Sequence, residues 1–234
     1  MKIPNITAAD NGGKEFKKLP PGAHFAICNM MVDCGMQPGF QGKPQRKVYI
    51  RWEVPDERVE YEKDGVRHEG PCSIGKFYTL SLSEKATLRK DLENWRGKTF
   101  TDQEAKGFNI TAVLGKCCQL MVTHSESNGK TYANVTGIMG ISKDQQNRAK
   151  TAKPENELVA FSVEDPDQEA YDKLPNWLRE KVDARVEAKE SAVTAGGDED
   201  FDDDIPFAFA FWTPLGSILA GLAFAGYAVA QYAA

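Results

Sequence analysis

The sequence predicts a mainly β fold, a small five-stranded barrel with one helix between its third and fourth strands, followed by a helical and disordered C-terminal tail. Three observations point there. Alternating apolar runs recur before residue 82, one helical signature covers residues 81–97, and Asn128-Gly129 sits between two β-rich runs.

Residues 1–20 read as a mobile arm, and Pro20-Pro21-Gly22 marks the start of structure. Residues 24–32 form a short β-branched and aromatic run, the first strand. A Gly/Pro loop follows over residues 35–44. Residues 47–54 alternate, with Val48, Ile50 and Trp52 on one face and Lys47, Tyr49, Arg51 and Glu53 on the other. Pro55 is expected to end that strand, because it has no N–H to give a ladder. Residues 56–70 predict a charged hairpin turning at Asp64-Gly65. Residues 73–82 are the third strand, with Phe77 and Tyr78 at its centre.

Ser81-Leu82-Ser83-Glu84 satisfies the capping-box pattern, so the helix is expected to open at Ser81, with Ser83 as an alternative cap. Leu88, Leu92 and Trp95 recur at helical spacing, and Gly97 offers the left-handed residue that ends a helix. Thr101-Asp102-Gln103-Glu104 repeats the capping signature for a short second helix, and residues 110–114 add a turn. Residues 117–124 and 131–141 then flank the Asn128-Gly129 turn, a strong short-range hairpin signal. Three strands, a helic element and a two-stranded hairpin is the order of an OB-fold, a Greek-key barrel often used to hold single strands.

Composition sets the broad class. The chain has 234 residues, 41% hydrophobic and 10% aromatic, enough for one domain over residues 21–153 plus a tail. Charge is uneven. Residues 1–153 carry 24 Lys and Arg against 17 Asp and Glu, while residues 154–234 carry 5 against 17. An electropositive body with an acidic tail suits a protein that grips a polyanion. Five cysteines, two of them adjacent at Cys117-Cys118, do not describe a disulfide framework and fit a reducing cytoplasm. Met1-Lys2-Ile3-Pro4-Asn5 has no apolar core, so no secretory signal is expected.

Catalytic chemistry finds no foothold. His24, His68 and His124 are scattered, with no nucleophile motif beside them, and no Walker-type phosphate loop occurs. Cys28, Cys34, Cys72 and His68 lack the tight spacing of a zinc knuckle, so neither a metal nor a cofactor is expected. Asp56, Glu57, Glu60 and Glu62 follow Pro55 as a nuclease carboxylate cluster would, but the acid–any–Lys element that should accompany them is missing. A solvated hairpin accounts for them.

Binding a single strand requires cations for phosphates and flat side chains for bases. The second strand offers Lys47, Tyr49 and Arg51 on one face, with Arg46 just before. Lys76 with Tyr78 repeats the pairing on the third strand, and Lys130 with Tyr132 on the last hairpin. Phe77 and Tyr78 face opposite ways, and Tyr78 is the one expected to be exposed. Trp52 and Trp95 are expected in the core.

Residues 154–195 read as a linker with a polar helix, in which Trp177, Leu178, Val182 and Val186 make a broken apolar stripe. Residues 196–207 end in Asp202-Asp203-Asp204-Ile205-Pro206-Phe207. This stretch is too polar to fold alone, but Ile205 and Phe207 can fill an apolar pocket while the aspartates steer toward a basic rim. It resembles the acidic tip of bacterial single-stranded-DNA-binding proteins, which recruits replication, recombination and repair enzymes.

Leu88-Arg89-Lys90-Asp91-Leu92-Glu93-Asn94-Trp95-Arg96-Gly97, Gly129-Lys130-Thr131-Tyr132-Ala133-Asn134-Val135 and Leu174-Pro175-Asn176-Trp177-Leu178 are similar to phage-encoded single-stranded-DNA-binding proteins, over most of residues 15–182. The resemblance implies a non-enzymatic protein in the cytoplasm of the bacterial host, working in phage replication and recombination. It also implies single-stranded DNA and replication or repair proteins as partners. A membrane-anchored interaction module and a strand-annealing factor are the alternatives.

The chain departs from the tip-bearing family in one respect: Phe207 continues into an apolar segment, residues 208–234, without a charged residue. By length this segment suits a membrane span, an association element or an appended sequence without a role.

Overall fold

The computed structural model describes residues 17–39, 42–63 and 65–186. Most of the expected arm, the end of the expected linker, the acidic tip at 196–207 and the apolar segment at 208–234 lie outside the described residues.

Five antiparallel strands curl into a half-barrel in the order β3-β2-β1-β4-β5, where β1 is Gly22–Gln37, β2 Gln45–Lys63, β3 Val66–Thr79, β4 Cys117–Ser127 and β5 Lys130–Met139. Helix α1, Thr87–Arg96, lies between β3 and β4 in the chain and packs against β3 and β5, the strands that face each other across the open side. Gly140 N–H donates to Asn94 O at 3.1 Å and ties the end of β5 to that helix. This is the OB-like architecture expected from the element order.

β1 runs farther than residues 24–32 because it serves two neighbours on one edge. Its first part, Gly22 to Ile27, pairs with β4, and Met30 to Val32 pair in parallel with a short strand β6, Val159–Phe161. Register shifts at Cys28/Met30 and Asp33/Met36 bend it between these tasks. Burial on both faces explains why its sequence is largely apolar rather than alternating.

Pro55 does not end β2. The strand continues to Lys63, and Pro55 falls inside the register shift between Val54 and Arg58, where a missing N–H costs no ladder bond. Lys63 pairs with Val66 on either side of the expected turn, whose first residue, Asp64, lies outside the described residues. Asn128 (φ 50°) and Gly129 (φ 71°) both take the left-handed conformation of a type I′ hairpin.

The capping box at Ser81 does not form. Ser81 Oγ accepts from Ser83 N–H at 3.2 Å in a local turn, and α1 begins at Thr87 after the uncapped Ala86. Its apolar face is as expected: Leu88, Leu92 and Trp95 are buried, and Gly97 (φ 68°) ends it. Thr101 and Glu104 make the second capping box, opening α2, Asp102–Ala105.

Val48, Ile50, Trp52, Ile74, Leu120, Val122 and Ile138 fill the barrel with the α1 residues. Beyond the barrel the chain forms α3 (Gln146–Thr151), then β6, α4 (Gln168–Asp172) and α5 (Asn176–Asp183). Residues 157–186 are thus not a linker. Val159, Phe161, Leu174, Leu178 and Val182 make a second apolar cluster with Met30, Val32, Cys34 and Tyr49 on the outer face of β1 and β2. Among the described residues no helix is long and apolar enough to cross a membrane.

Candidate nucleic-acid interface

Alternation divides the expected site residues between two faces. On β3, Lys76 and Tyr78 turn away from the outer surface. Tyr78 is 1% exposed, and its hydroxyl donates to Asp91 Oδ2 on α1 at 2.8 Å. Lys76 Nζ reaches the same oxygen at 3.3 Å and lies 5.0 Å from the Tyr78 ring centre. Burial, then the Asp91 charge, pushes the Tyr78 phenol well up. The expectation that Tyr78 is exposed is corrected: its neighbour Phe77 takes the outer face, because the barrel needed a large ring with a polar tip within reach of α1.

Tyr49 does lie on the outer face, yet it is covered. Its ring sits 4.8 Å from that of Phe77 and edge-on to Trp177 of α5 at 5.2 Å. Burial pushes its phenol up to about 12. A close approach makes this arrangement possible. A methyl on Gly75 would lie 2.1 Å from Tyr49 Oη, so the ring lies flat across bare backbone. Gly75→Ala is therefore expected to lift Tyr49 and Trp177 off the sheet, destabilising the protein by about 1–3 kcal/mol. Urea unfolding followed by tryptophan emission checks this; unchanged stability and emission would rule it out.

Trp177 is the residue that sequence reasoning placed on a stripe rather than in a site. Leu178 and Val182, four apart, are buried; Trp177 stands one residue off that row and remains 40% exposed. That offset was visible in the sequence. Its position over Tyr49 and Phe77 was not, because residues far apart in the chain make the cluster. Lys181 Nζ lies 5.4 Å from the Phe77 ring centre, one turn along α5. Lys47, diagonal to Phe77 across the strands, donates to Thr79 Oγ1 at 2.7 Å.

The outer face of β2 and β3 thus carries a ring platform of Trp177, Phe77 and Tyr49 with Lys47 and Lys181 at its margin. Arg51 lies next along β2, half buried, with Nε donating to Asn29 Oδ1 at 3.2 Å. Arg46 is committed elsewhere. Its Nη2 meets Asp33 Oδ2 at 2.5 Å and its Nη1 meets Glu164, and these bonds raise its pKa.

Lys130 and Tyr132 stay apart from this platform. Tyr132 pairs with Ser125, beyond Val122, which is the partner of Gly22 at the start of β1. Tyr49 pairs with Val32, ten residues along β1. That is roughly 33 Å of strand path. Lys130 is exposed and Tyr132 half buried.

The carboxylates of the β2–β3 hairpin meet cations: Asp56 with Arg148, Glu57 with Lys17, Glu60 with Arg67. Arg148 holds the Asp56 carboxyl below its ordinary range. Cys28 lies in the barrel cluster and Cys34 in the outer one, and burial pushes both thiols up to about 12, away from the thiolate a metal requires. Among the described residues no group of three or more His, Cys, Asp or Glu is placed to hold a metal. No protein-family model matches this chain, and a search of curated proteins finds no match to it.

Proposed function

We propose that this chain is a non-enzymatic, sequence-tolerant single-stranded-DNA-binding protein of phage type, with bases stacking at Trp177 and phosphates following Lys47, Lys181 and Arg51. It acts in phage replication and recombination in the host cytoplasm and recruits partners through Asp202-Asp203-Asp204-Ile205-Pro206-Phe207. The observation that carries the reading is the exposed indole of Trp177, backed by Tyr49 and Phe77 on the outer face of an OB-like sheet. An aromatic ring held in place by other rings accepts any base on its π-face, and the electropositive body supplies the salt-dependent remainder.

Tryptophan fluorescence titration with oligo-dT and with a duplex, at several salt concentrations, tests it. Trp52 and Trp95 are enclosed, so among the described residues Trp177 is the indole that a strand can quench. Single strands are expected to bind far better than duplex and more weakly as salt rises. Trp177→Ala is expected to cost about 1–3 kcal/mol of affinity. Equal affinity for duplex, or binding indifferent to salt, would sink the proposal.

A further inference from the structure

The far half of the β2–β3 hairpin is a two-stranded ribbon with one charged and one apolar face. Residues 58–63 pair with residues 66–71 without a register shift, so alternation sorts their side chains. The charged face ties itself together, Arg58 with Glu69 and Glu60 with Arg67. The other face continues the inner face of the barrel beyond Cys72 and holds Val59, Tyr61, Val66, His68 and Gly70. The Tyr61 ring stacks on His68, centroids 5.6 Å apart, and lies against Gly70, where an added methyl would meet Tyr61 Cε1 at 3.2 Å. Tyr61 is nonetheless 45% exposed and Val66 57%. A two-stranded ribbon is marginal in water unless something packs on its apolar face.

The chain itself supplies the nearest candidate. Lys17 stands at the root of the ribbon: its Nζ donates to Arg58 O at 3.1 Å and pairs with Glu57 at 3.3 Å. Leu19 is buried in the barrel cluster that also holds Cys72 and on which Val59 packs. Its carbonyl accepts from His124 Nε2 at 2.8 Å. The segment before Lys17 therefore departs beside the apolar face. Phe16 is its first residue, and Ile6 lies ten residues farther, about 33 Å of extended chain against a ribbon of roughly 17 Å. Charge favours the same match. Residues 14–18 carry three lysines against one glutamate, while residues 56–70 carry six Asp and Glu against three Lys and Arg. The geometry points to the apolar face of the ribbon as the docking site of the chain's own residues 3–16, with Phe16 on the Tyr61–His68 stack and Ile6 toward Val66. The site lies on the inner side of the sheet, away from the Trp177 platform, so it stands independently of the single-strand reading.

Amide hydrogen exchange of the full-length protein tests the docking, read at residues 58–70 with β4 and β5 as the internal reference. Deleting residues 2–16 is expected to speed exchange in the ribbon about tenfold and leave β4 and β5 unchanged, in keeping with the loss of one buried aromatic side chain. Phe16→Ala is expected to act in the same direction. Should the deletion also loosen β4 and β5, Phe16→Ala decides, since it keeps Lys17, Leu19 and the rest of the segment in place. Ribbon exchange at the wild-type rate in both variants overturns the docking. Protection that rises with protein concentration assigns the face to a second copy, and protection that appears only with oligo-dT assigns it to nucleic acid. Either result overturns the proposal as well.

Discussion

Trp52→Ala is expected to destabilise the protein by about 3–5 kcal/mol while leaving oligo-dT affinity unchanged where the variant is still folded. Trp52 is wholly buried on the inner face of β2, 6.2 Å from Trp95 of α1, at the junction of barrel and helix. Removing the indole leaves a cavity that neither β2 nor α1 can close, because both are pinned by neighbours: β2 by two ladders, α1 by the Trp95 Nε1 bond to Cys117 O at 2.9 Å. At roughly 2–4 °C per kcal/mol for a domain of this size, Tm falls by about 6–20 °C. Trp52→Phe should cost much less, since the buried Trp52 Nε1 has no hydrogen-bond partner to lose. Thermal unfolding and the oligo-dT titration together check this. Lost affinity at wild-type stability would mean that the inner and outer faces of β2 have been exchanged.

Glu53→Ala is expected to release the C-terminal layer, at a cost on the order of 3–5 kcal/mol. The Glu53 side chain is fully enclosed and acts as an acceptor for three donors: Glu155 N–H at 2.7 Å, Asn156 N–H at 3.0 Å and Asn156 Nδ2 at 2.8 Å. These bonds fix the chain just before β6, and with it the register in which Val159 meets Met30. Without the carboxylate the backbone donors must find water, and residues 157–186 loosen as a unit. Amide exchange should then rise in β6 and α5 while β4 and β5 stay protected. Because Trp177 rides on that layer, oligo-dT affinity should fall as well, and this separates Glu53 from Trp52. Uniform loss of protection across all strands would argue against an anchoring role.

The element order was legible because local signals agreed with the global fold. Asn128-Gly129, the Leu88/Leu92/Trp95 stripe and the Thr101/Glu104 box each needed only neighbours a few residues away, and each is present. Local reading failed in two ways: at Ser81 a nearer competitor won, a turn to Ser83 in place of a helix cap, and at Pro55 a bulge absorbed the proline against a partner strand that lies beyond the turn.

The same division governs the candidate site. Alternation alone put Val48, Ile50 and Trp52 inside and Tyr49 and Arg51 outside, since a strand's side-chain period is two. Which side of β3 belonged to the barrel depended on how that strand met α1, and Asp91 drew Lys76 and Tyr78 inward. That the outer face would be roofed by residues 157–186, burying Tyr49 and leaving Trp177 exposed in its place, required contacts across more than a hundred residues of chain. The sequence by itself determined the hairpin turns, the barrel order and the uneven distribution of charge, because these follow from short-range periodicity and composition. Only the tertiary structure decided which rings and cations are exposed, because exposure is a property of what lies on top of a residue and not of the residue itself.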